Sequence, residues 1–378
     1  SNIKLDILDG ATLNVWLRRG VPMETYSLET TDGLLHLFTV LSKQEDEVEC
    51  EAIHTDGSFT IRIHQSINAC LWELFVKTGI FKHWGSSSYP DFAPIDLSMR
   101  PILHPRLSML KDGVSEFTFA GLYLFRKTYR YRVSWLPNQT AVISGEKDGK
   151  RFFLLPCGLP EDEALVADLF RNHDYLKNLS ESDTNASRVQ LEQWGYTIEE
   201  DRDNFDYLYL REHLASLPGK QYHKKRNLVN AFLNNYRYEE RPMRKHHLED
   251  AFYVLEEWRK TKPEEGDYQA AREALEMMDV LNLKGYLYYV EGKPAAYTLG
   301  EALSRGRSFA VHFEKALEKY KGIYQFVNQA FAAALPKYIL YINREQDLGD
   351  PGLRQAKMTY RPCGFVRKYR VYPTKPLA

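Results

Sequence analysis

Residues 341–372 read YINREQDLGDPGLRQAKMTYRPCGFVRKYRVY, and the way this stretch is partitioned decides the fold. An apolar run over residues 338–342 enters it as a strand. The polar corner Asn343-Arg344-Glu345-Gln346-Asp347-Leu348-Gly349 follows. A short helix then spans residues 351–358, with proline at its first position, and a closing strand spans residues 366–372. Charge packed this densely between apolar strands marks a loop held by rigid elements, where chemistry tends to sit. The same residues also suit a salt-bridged, capped turn that only holds the C-terminus down.

Moving outward toward the N-terminus, residues 322–334 have helical spacing and residues 308–313, 294–301 and 284–291 read as strands, with Glu291-Gly292-Lys293 as a turn. Residues 267–281 and 247–261 are helical, the latter with Leu248, Phe252, Leu255 and Trp258 on one face. Helix, strands, helix, strand makes residues 236–378 one α+β domain. Residues 91–235 repeat the rhythm. They hold a hairpin of 140–145 and 151–156, helices over 161–173 and 187–194, a strand at 207–210, one or two turns over 212–217 and a basic-faced helix over 222–235. Residues 117–124 fit either a helix or a strand. Residues 1–90 form a small β-rich N-terminal module with strands at 34–41, 48–54 and 59–65, then a helix over 67–81 and a linker, GSSSYP, over 85–90. No sequence repeat aligns the two larger halves.

The chain has 378 residues, 44% hydrophobic and 27% charged, the composition of a globular protein with two or three domains. A net charge of −1 argues against a uniformly basic nucleic-acid surface and leaves room for a local patch. Cys50, Cys70, Cys157 and Cys363 form no CxxC pair and have no zinc spacing, so buried free thiols in a reducing cytoplasm are expected. No apolar run reaches the roughly 18 residues that read as a membrane span, and no secretion signal is read, so a cytoplasmic location is expected. There is no Gly-x-Ser-x-Gly, no P-loop and no His-Glu-x-x-His, so no metal and no tightly bound cofactor is implied.

The motif NREQDLGDPGLRQAK (343–357) resembles the signature of the bacterial phosphatidylglycerol lysyltransferase C-terminal-like family. Four further stretches match it in order: DRDNFDYLYLREHLASLPGKQYHKKRN (201–227), LNLKGYLYYVEGKPAAYTLGE (281–301), HFEKALEKYKGIYQFVNQAF (312–331) and TYRPCGFVRKYRVY (359–372). Weaker similarity reaches back to DLSMRPIL (96–103), so the resemblance covers roughly residues 92–378. It implies an α+β (α/β) fold of two tandem GNAT-like (acyl-CoA N-acyltransferase) domains, as in the Fem-type aminoacyltransferases. It also implies an acyltransferase that moves an acyl or aminoacyl group from a thioester or a tRNA ester to an amine or a lipid headgroup at a membrane surface. Acyl-CoA and aminoacyl-tRNA are the donors to consider. The membrane-spanning half of the lipid lysyltransferases is expected to be absent from this chain. The alternative is a non-catalytic GNAT-fold protein that senses a ligand or acts as a scaffold.

The resemblance directs attention to Lys319, Lys321, Gly322 and Tyr324. Acyltransferases of this class hold the donor pyrophosphate on a Q/R-x-x-G-x-G/A loop at a helix N-terminus, where free N–H groups favour an anion. Lys319-x-x-Gly322-x-Tyr324 keeps the spacing but carries Lys for Gln/Arg and a bulky Tyr for a small residue. On the preceding strand, His312 and Glu314 share one face, with Phe309, Val311 and Phe313 on the other. Amide-forming transfer needs a base for the proton that the attacking amine loses, and His312 or Glu314 could take it. Arg344, Glu345 and Asp347 are candidates for substrate binding, since Arg grips carboxylate or phosphate in two-pronged fashion. Lys224, Lys225 and Arg226, with Arg354, Lys357 and Arg361, form a candidate basic patch for tRNA phosphates. A solvated basic face would look the same in sequence.

Overall fold

The computed structural model describes the strands within residues 2–63, and residues 88–376 apart from 109 and 139. At the N-terminus β1 (Asn2–Asp6), β2 (Thr12–Leu17), β3 (Glu24–Glu29), β4 (Leu35–Gln44), β5 (Glu47–His54) and β6 (Gly57–Ile63) form an antiparallel sheet in the order β1-β2-β6-β5-β4-β3. The three strands expected there are β4, β5 and β6. The helix expected over 67–81 lies outside the described residues. Of the expected linker, Tyr89 is tied down: its N–H donates to the Trp135 carbonyl at 2.8 Å.

The next elements are β7 (Ala93–Pro94), α1 (Arg100–Ser108), α2 (Phe119–Leu124), α3 (Arg126–Tyr129), β8 (Arg132–Trp135), β9 (Ala141–Lys147), β10 (Lys150–Leu154), α4 (Glu163–Asn172), β11 (Tyr175–Ser180), α5 (Glu181–Gln193) and β12 (Tyr196–Glu200). They are followed by β13 (Asp206–Leu210), α6 (Arg211–Ser216), α7 (His223–Asn235), β14 (Tyr238–Pro242), α8 (Leu248–Lys260), α9 (Tyr268–Glu276), β15 (Lys284–Val290), β16 (Lys293–Leu303) and β17 (Ser308–Ala316). The chain ends with α10 (Ile323–Ala334), β18 (Tyr341–Asn343), α11 (Pro351–Thr359), β19 (Gly364–Val366) and β20 (Lys368–Pro373).

Two seven-stranded sheets result, ordered β7-β8-β9-β10-β11-β20-β12 and β14-β15-β16-β17-β18-β13-β19. The plan is the same in both. A four-strand meander meets a fifth strand in parallel (β10 with β11, β17 with β18), and two antiparallel strands follow. The tandem repeat that the sequence conceals is therefore present as strand order.

The sixth place of each sheet is filled from a distance, by β20 in the first and by β13 in the second. Compact packing accordingly divides the chain into Ser1–Asp201 with Leu303–Gly306 and Lys368–Ala378, and Arg202–Ala302 with Arg307–Arg367. This differs from the expected division into 91–235 and 236–378, because β13 pairs in the second sheet and α6 and α7 fall in the same unit. The expected strand over 366–372 is likewise two strands in different sheets, parted at Arg367. Alternation of apolar residues cannot reveal a change of hydrogen-bonding partner.

Local chemistry sets the helix starts. Asp162 accepts the Leu165 N–H at 3.2 Å, Ser180 accepts that of Asp183 at 3.1 Å, and Asp350 accepts that of Leu353 at 3.1 Å ahead of Pro351. The Ser180 cap explains why α5 begins six residues before the expected 187: ESDTNASR is too polar to show an apolar face. β11 was hidden for a similar reason, since all six of its residues are buried although Lys177 and Asn178 are among them.

In the first unit α4 buries Val166, Leu169 and Phe170 against Val142, Phe153 and Leu176, and Phe170 stacks on Tyr196 at 4.4 Å. In the second, Phe232 of α7 stacks on Phe326 of α10 at 4.5 Å. Each such ring contributes about 1.5–3 kcal/mol on burial. Cys157 and Cys363 are exposed, against expectation, the first in the turn after β10 and the second in a bend before β19.

Candidate active site

The second sheet opens where its parallel pair ends. β17 and β18 pair over Ser308↔Tyr341, Phe309↔Ile342 and Ala310↔Asn343. β17 then runs on to Ala316 while the chain turns away after Asn343. The turn is forced: Glu345 takes φ +62° and Leu348 +52°, conformations unfavourable for non-glycine residues. The Asn343 amide holds it, its Oδ1 accepting the Glu345 N–H at 2.9 Å and its Nδ2 donating to Asp206 at 3.0 Å. Into the opening β17 presents His312 and Glu314 on one face, as expected.

His312 is clamped between two carboxylates. Nε2 lies 2.7 Å from Glu301 Oε2 and Nδ1 lies 3.5 Å from Glu345 Oε1. Burial alone would push the imidazole down, but the Glu345 charge and the hydrogen bonds to Glu301 and Glu345 outweigh it and raise its pKa to about 10. At neutral pH it is an imidazolium with both N–H groups engaged. Carboxylates engage both ring nitrogens, which leaves neither open for the expected base role. Burial raises the Glu345 carboxyl, and the His312 charge counters it.

Glu314 makes one strong contact, from Oε1 to Arg344 Nη2 at 2.9 Å. Burial works against the Arg344 charge, and Glu314 more than restores it. Glu314 Oε2 is buried with no hydrogen-bond partner, as is Asn328 Oδ1 from α10. Both residues act on the Tyr360 hydroxyl, which burial pushes far up, so they belong to one polar nest beside β17. Tyr209 adjoins it, and its hydroxyl donates to the Lys357 carbonyl at 2.6 Å. Glu301, Asn328 and Tyr209 escaped the sequence reading. Glu301 alone left a signal, as a lone carboxylate in the apolar strand AAYTLGEAL.

The other candidates separate from this centre. Asp347 is fully enclosed. It accepts from Arg354 Nε at 2.8 Å, Arg202 Nη1 at 3.2 Å, the Tyr207 hydroxyl at 2.5 Å and the Gly349 N–H at 2.8 Å. Burial would raise its carboxyl, but the hydrogen bonds from Arg354 and Tyr207 hold it well below the usual range. Asp347 and Arg354 thus form the clasp of the corner. Lys357 donates to the Arg344 carbonyl, and burial, helped by the Arg344 charge, brings its pKa down to about 8. Arg226 is held by the Leu217 and Gly219 carbonyls at 2.6 and 2.5 Å, and Lys225 lies 4.3 Å over the Tyr360 ring. Of the expected basic patch, Lys224 and Arg361 remain exposed, and Lys225, Arg226, Arg354 and Lys357 have partners within the fold.

In the expected donor loop Lys319 and Lys321 are exposed and Gly322, at φ +84°, caps α10. A Cβ on Gly322 would sit 2.2 Å from the Leu228 carbonyl of α7, so helix packing requires the glycine. Tyr324 turns its ring against the core cluster of Phe232 and Phe326, and burial pushes its hydroxyl up to about 12. Among the described residues no group of His, Cys, Asp or Glu could hold a metal ion, and no helix is long and apolar enough to cross a membrane.

Residues 107–372 match the family described as phosphatidylglycerol lysyltransferase, C-terminal. No curated protein matches the chain. Among solved structures, a conserved protein of unknown function from Bacteroides thetaiotaomicron is 28% identical, with a TM-score of 0.66 over 75% of this chain and 99% of that one. L-PGS from Bacillus licheniformis is 15% identical, with a TM-score of 0.51 over 78% of this chain and 95% of that one, a likeness of fold.

Proposed function

Because the chain belongs to the phosphatidylglycerol lysyltransferase C-terminal family, we propose that it is an aminoacyl- or acyltransferase whose reaction takes place in the opening beyond the β17–β18 pair. The family description names lysyl transfer to phosphatidylglycerol. The donor would be an aminoacyl-tRNA or another large phosphorylated ester in preference to acyl-CoA, and the acceptor an amine or a lipid headgroup, reached from the cytoplasm. The observation that carries the reading is the pair of buried acceptors without donors, Glu314 Oε2 and Asn328 Oδ1. A buried acceptor left open costs about 1–3 kcal/mol, so a site that keeps two is suited to a ligand that supplies N–H groups. An amine on the aminoacyl group or on the acceptor does so.

In this arrangement Glu314 receives the ammonium or takes its proton, Arg344 holds the carboxylate in place, and the Glu301–His312–Glu345 clamp fixes β17 against the corner. Lys319 and Lys321 are free to meet phosphates of the donor. A second reading, a non-catalytic ligand-binding protein, is favoured by Gly322, whose helix-packing role leaves no separate need for a phosphate loop. Binding of lysyl-tRNA and of acetyl-CoA across a salt series, with turnover measured beside it, distinguishes the two. The proposal expects tRNA binding that weakens steeply with salt, together with transfer. Binding without turnover of either donor supports the second reading, and salt-insensitive binding of acetyl-CoA alone overturns the donor assignment.

A further inference from the structure

The first unit holds an open groove of about 760 Å³, within the range of ligand clefts. It lies by the N-terminal ends of the parallel strands β10 and β11 and the far end of β20. Four cations line it: Lys150, Arg151, Arg171 and Arg370. Its two carboxylates have donors from the protein itself. Asp174 Oδ2 accepts the Arg151 N–H at 2.8 Å, and Glu199 accepts from the Tyr372 hydroxyl. The C-terminal end of α4 also faces the groove, and bare carbonyls there would repel an anion. Two carbonyls of its last turns have side-chain donors: Asn172 Nδ2 donates to the Asp168 carbonyl at 3.0 Å, and His173 Nδ1 lies 2.8 Å from that of Leu169.

Flat surfaces stand beside the charge. The Arg370 guanidinium lies 4.2 Å over the Tyr175 ring, with Asp201 at 3.7 Å on its edge, which fixes its plane. Tyr372 follows two residues later on the same face of β20. Among the described residues Arg171 is paired with the half-exposed Asp168 at 3.5 Å, a screened contact that a ligand phosphate can replace.

From this combination we propose that the groove binds a nucleoside phosphate, with the phosphate among Arg151, Arg171 and Lys150 and the base stacked on Tyr372 or the Arg370 plane. This chemistry has two sources, a free nucleotide and the end of an RNA strand. The groove shares no residue with the Glu314 site, and the inference does not rest on the transferase reading.

The test is calorimetric titration of the full chain with inorganic phosphate, ADP and a single-stranded RNA hexamer at two salt concentrations. Wild type is compared with Arg151→Ala/Arg171→Ala and with Tyr372→Leu, each checked for an unchanged thermal midpoint. Both arginines are exposed, so the double variant folds. It should lose about ten- to a hundredfold in affinity for base-bearing ligands. Tyr372→Leu should weaken ADP or RNA about fivefold or more and leave inorganic phosphate unchanged. Tighter ADP identifies a free nucleotide, and a tighter hexamer with a steeper salt slope identifies a strand end. Binding of neither, phosphate binding as tight as ADP, or unchanged affinity in the double variant would overturn the proposal.

Discussion

Replacing Gly322 with alanine separates packing from ligand binding. The backbone at 322 has φ +84°, and a Cβ would meet the Leu228 carbonyl oxygen at 2.2 Å and Phe232 Cβ at 3.2 Å. The left-handed conformation costs an L-residue about 1–2 kcal/mol. Relieving the contact means moving α7 away from α10, an overpacking cost of about 1–3 kcal/mol. The sum, about 2–5 kcal/mol, is a large share of the roughly 5–15 kcal/mol that holds a domain folded. Gly292, second residue of the Glu291-Gly292 turn between β15 and β16, is an internal control, with φ +77° and nothing within 4 Å of the place a Cβ would take. Gly292→Ala therefore carries the backbone cost alone. At about 2–4 °C per kcal/mol for domains of this size, the midpoint falls by about 2–8 °C for Gly292→Ala and about 4–20 °C for Gly322→Ala. Thermal unfolding followed by circular dichroism reads both. Equal shifts would refute the claim that the Leu228 carbonyl dictates glycine at 322, and would return that residue to a phosphate-binding role.

The remaining predictions concern the clamp and the clasp. With the His312 pKa near 10 in the folded protein and near 6.5 unfolded, its contribution, on the order of 5 kcal/mol, is fully present below pH 6.5 and is lost as pH rises to about 10. Denaturant unfolding at pH 6 and pH 9.5 should therefore show a gap between wild type and His312→Gln that narrows with pH; a constant gap contradicts the clamp. Tyr207→Phe removes the hydroxyl shared by Asp347 and Arg202. It should lower stability by about 1–2 kcal/mol in urea without changing the slope of the transition. An unchanged transition midpoint would mean that Arg202 and Arg354 hold Asp347 alone.

How far the sequence reveals this molecule depends on what each residue does. α11 was legible because Asp350 and Pro351 start it by local chemistry, and β17 because alternation set His312 and Glu314 apart from Phe309, Val311 and Phe313. β11 was not legible, since Lys177 and Asn178 are buried by tertiary partners that no local pattern announces. The parting of 366–372 into β19 and β20, and the passage of β13 into the second sheet, are long-range pairings with no local mark. At the site, Arg344, Glu345 and His312 stood out as charge near strand ends, and the structure brings them together with Glu301. The basic residues misled: Lys357, Arg354 and Arg226 share composition with a phosphate-binding strip, but carbonyls and carboxylates of the fold engage them.

The central claim is that Glu314, with one oxygen on Arg344 and one left open, handles the amine of the transferred or accepting group. Its most direct test is the rate of transfer from lysyl-tRNA to phosphatidylglycerol vesicles or a soluble amine by wild type and by Glu314→Gln, with the thermal midpoint of each recorded. The glutamine keeps the shape and a hydrogen bond to Arg344 but gives up the charge and the proton acceptor. The account predicts a folded variant about 10²- to 10⁴-fold slower than wild type, whereas a folded variant that transfers at the wild-type rate contradicts it.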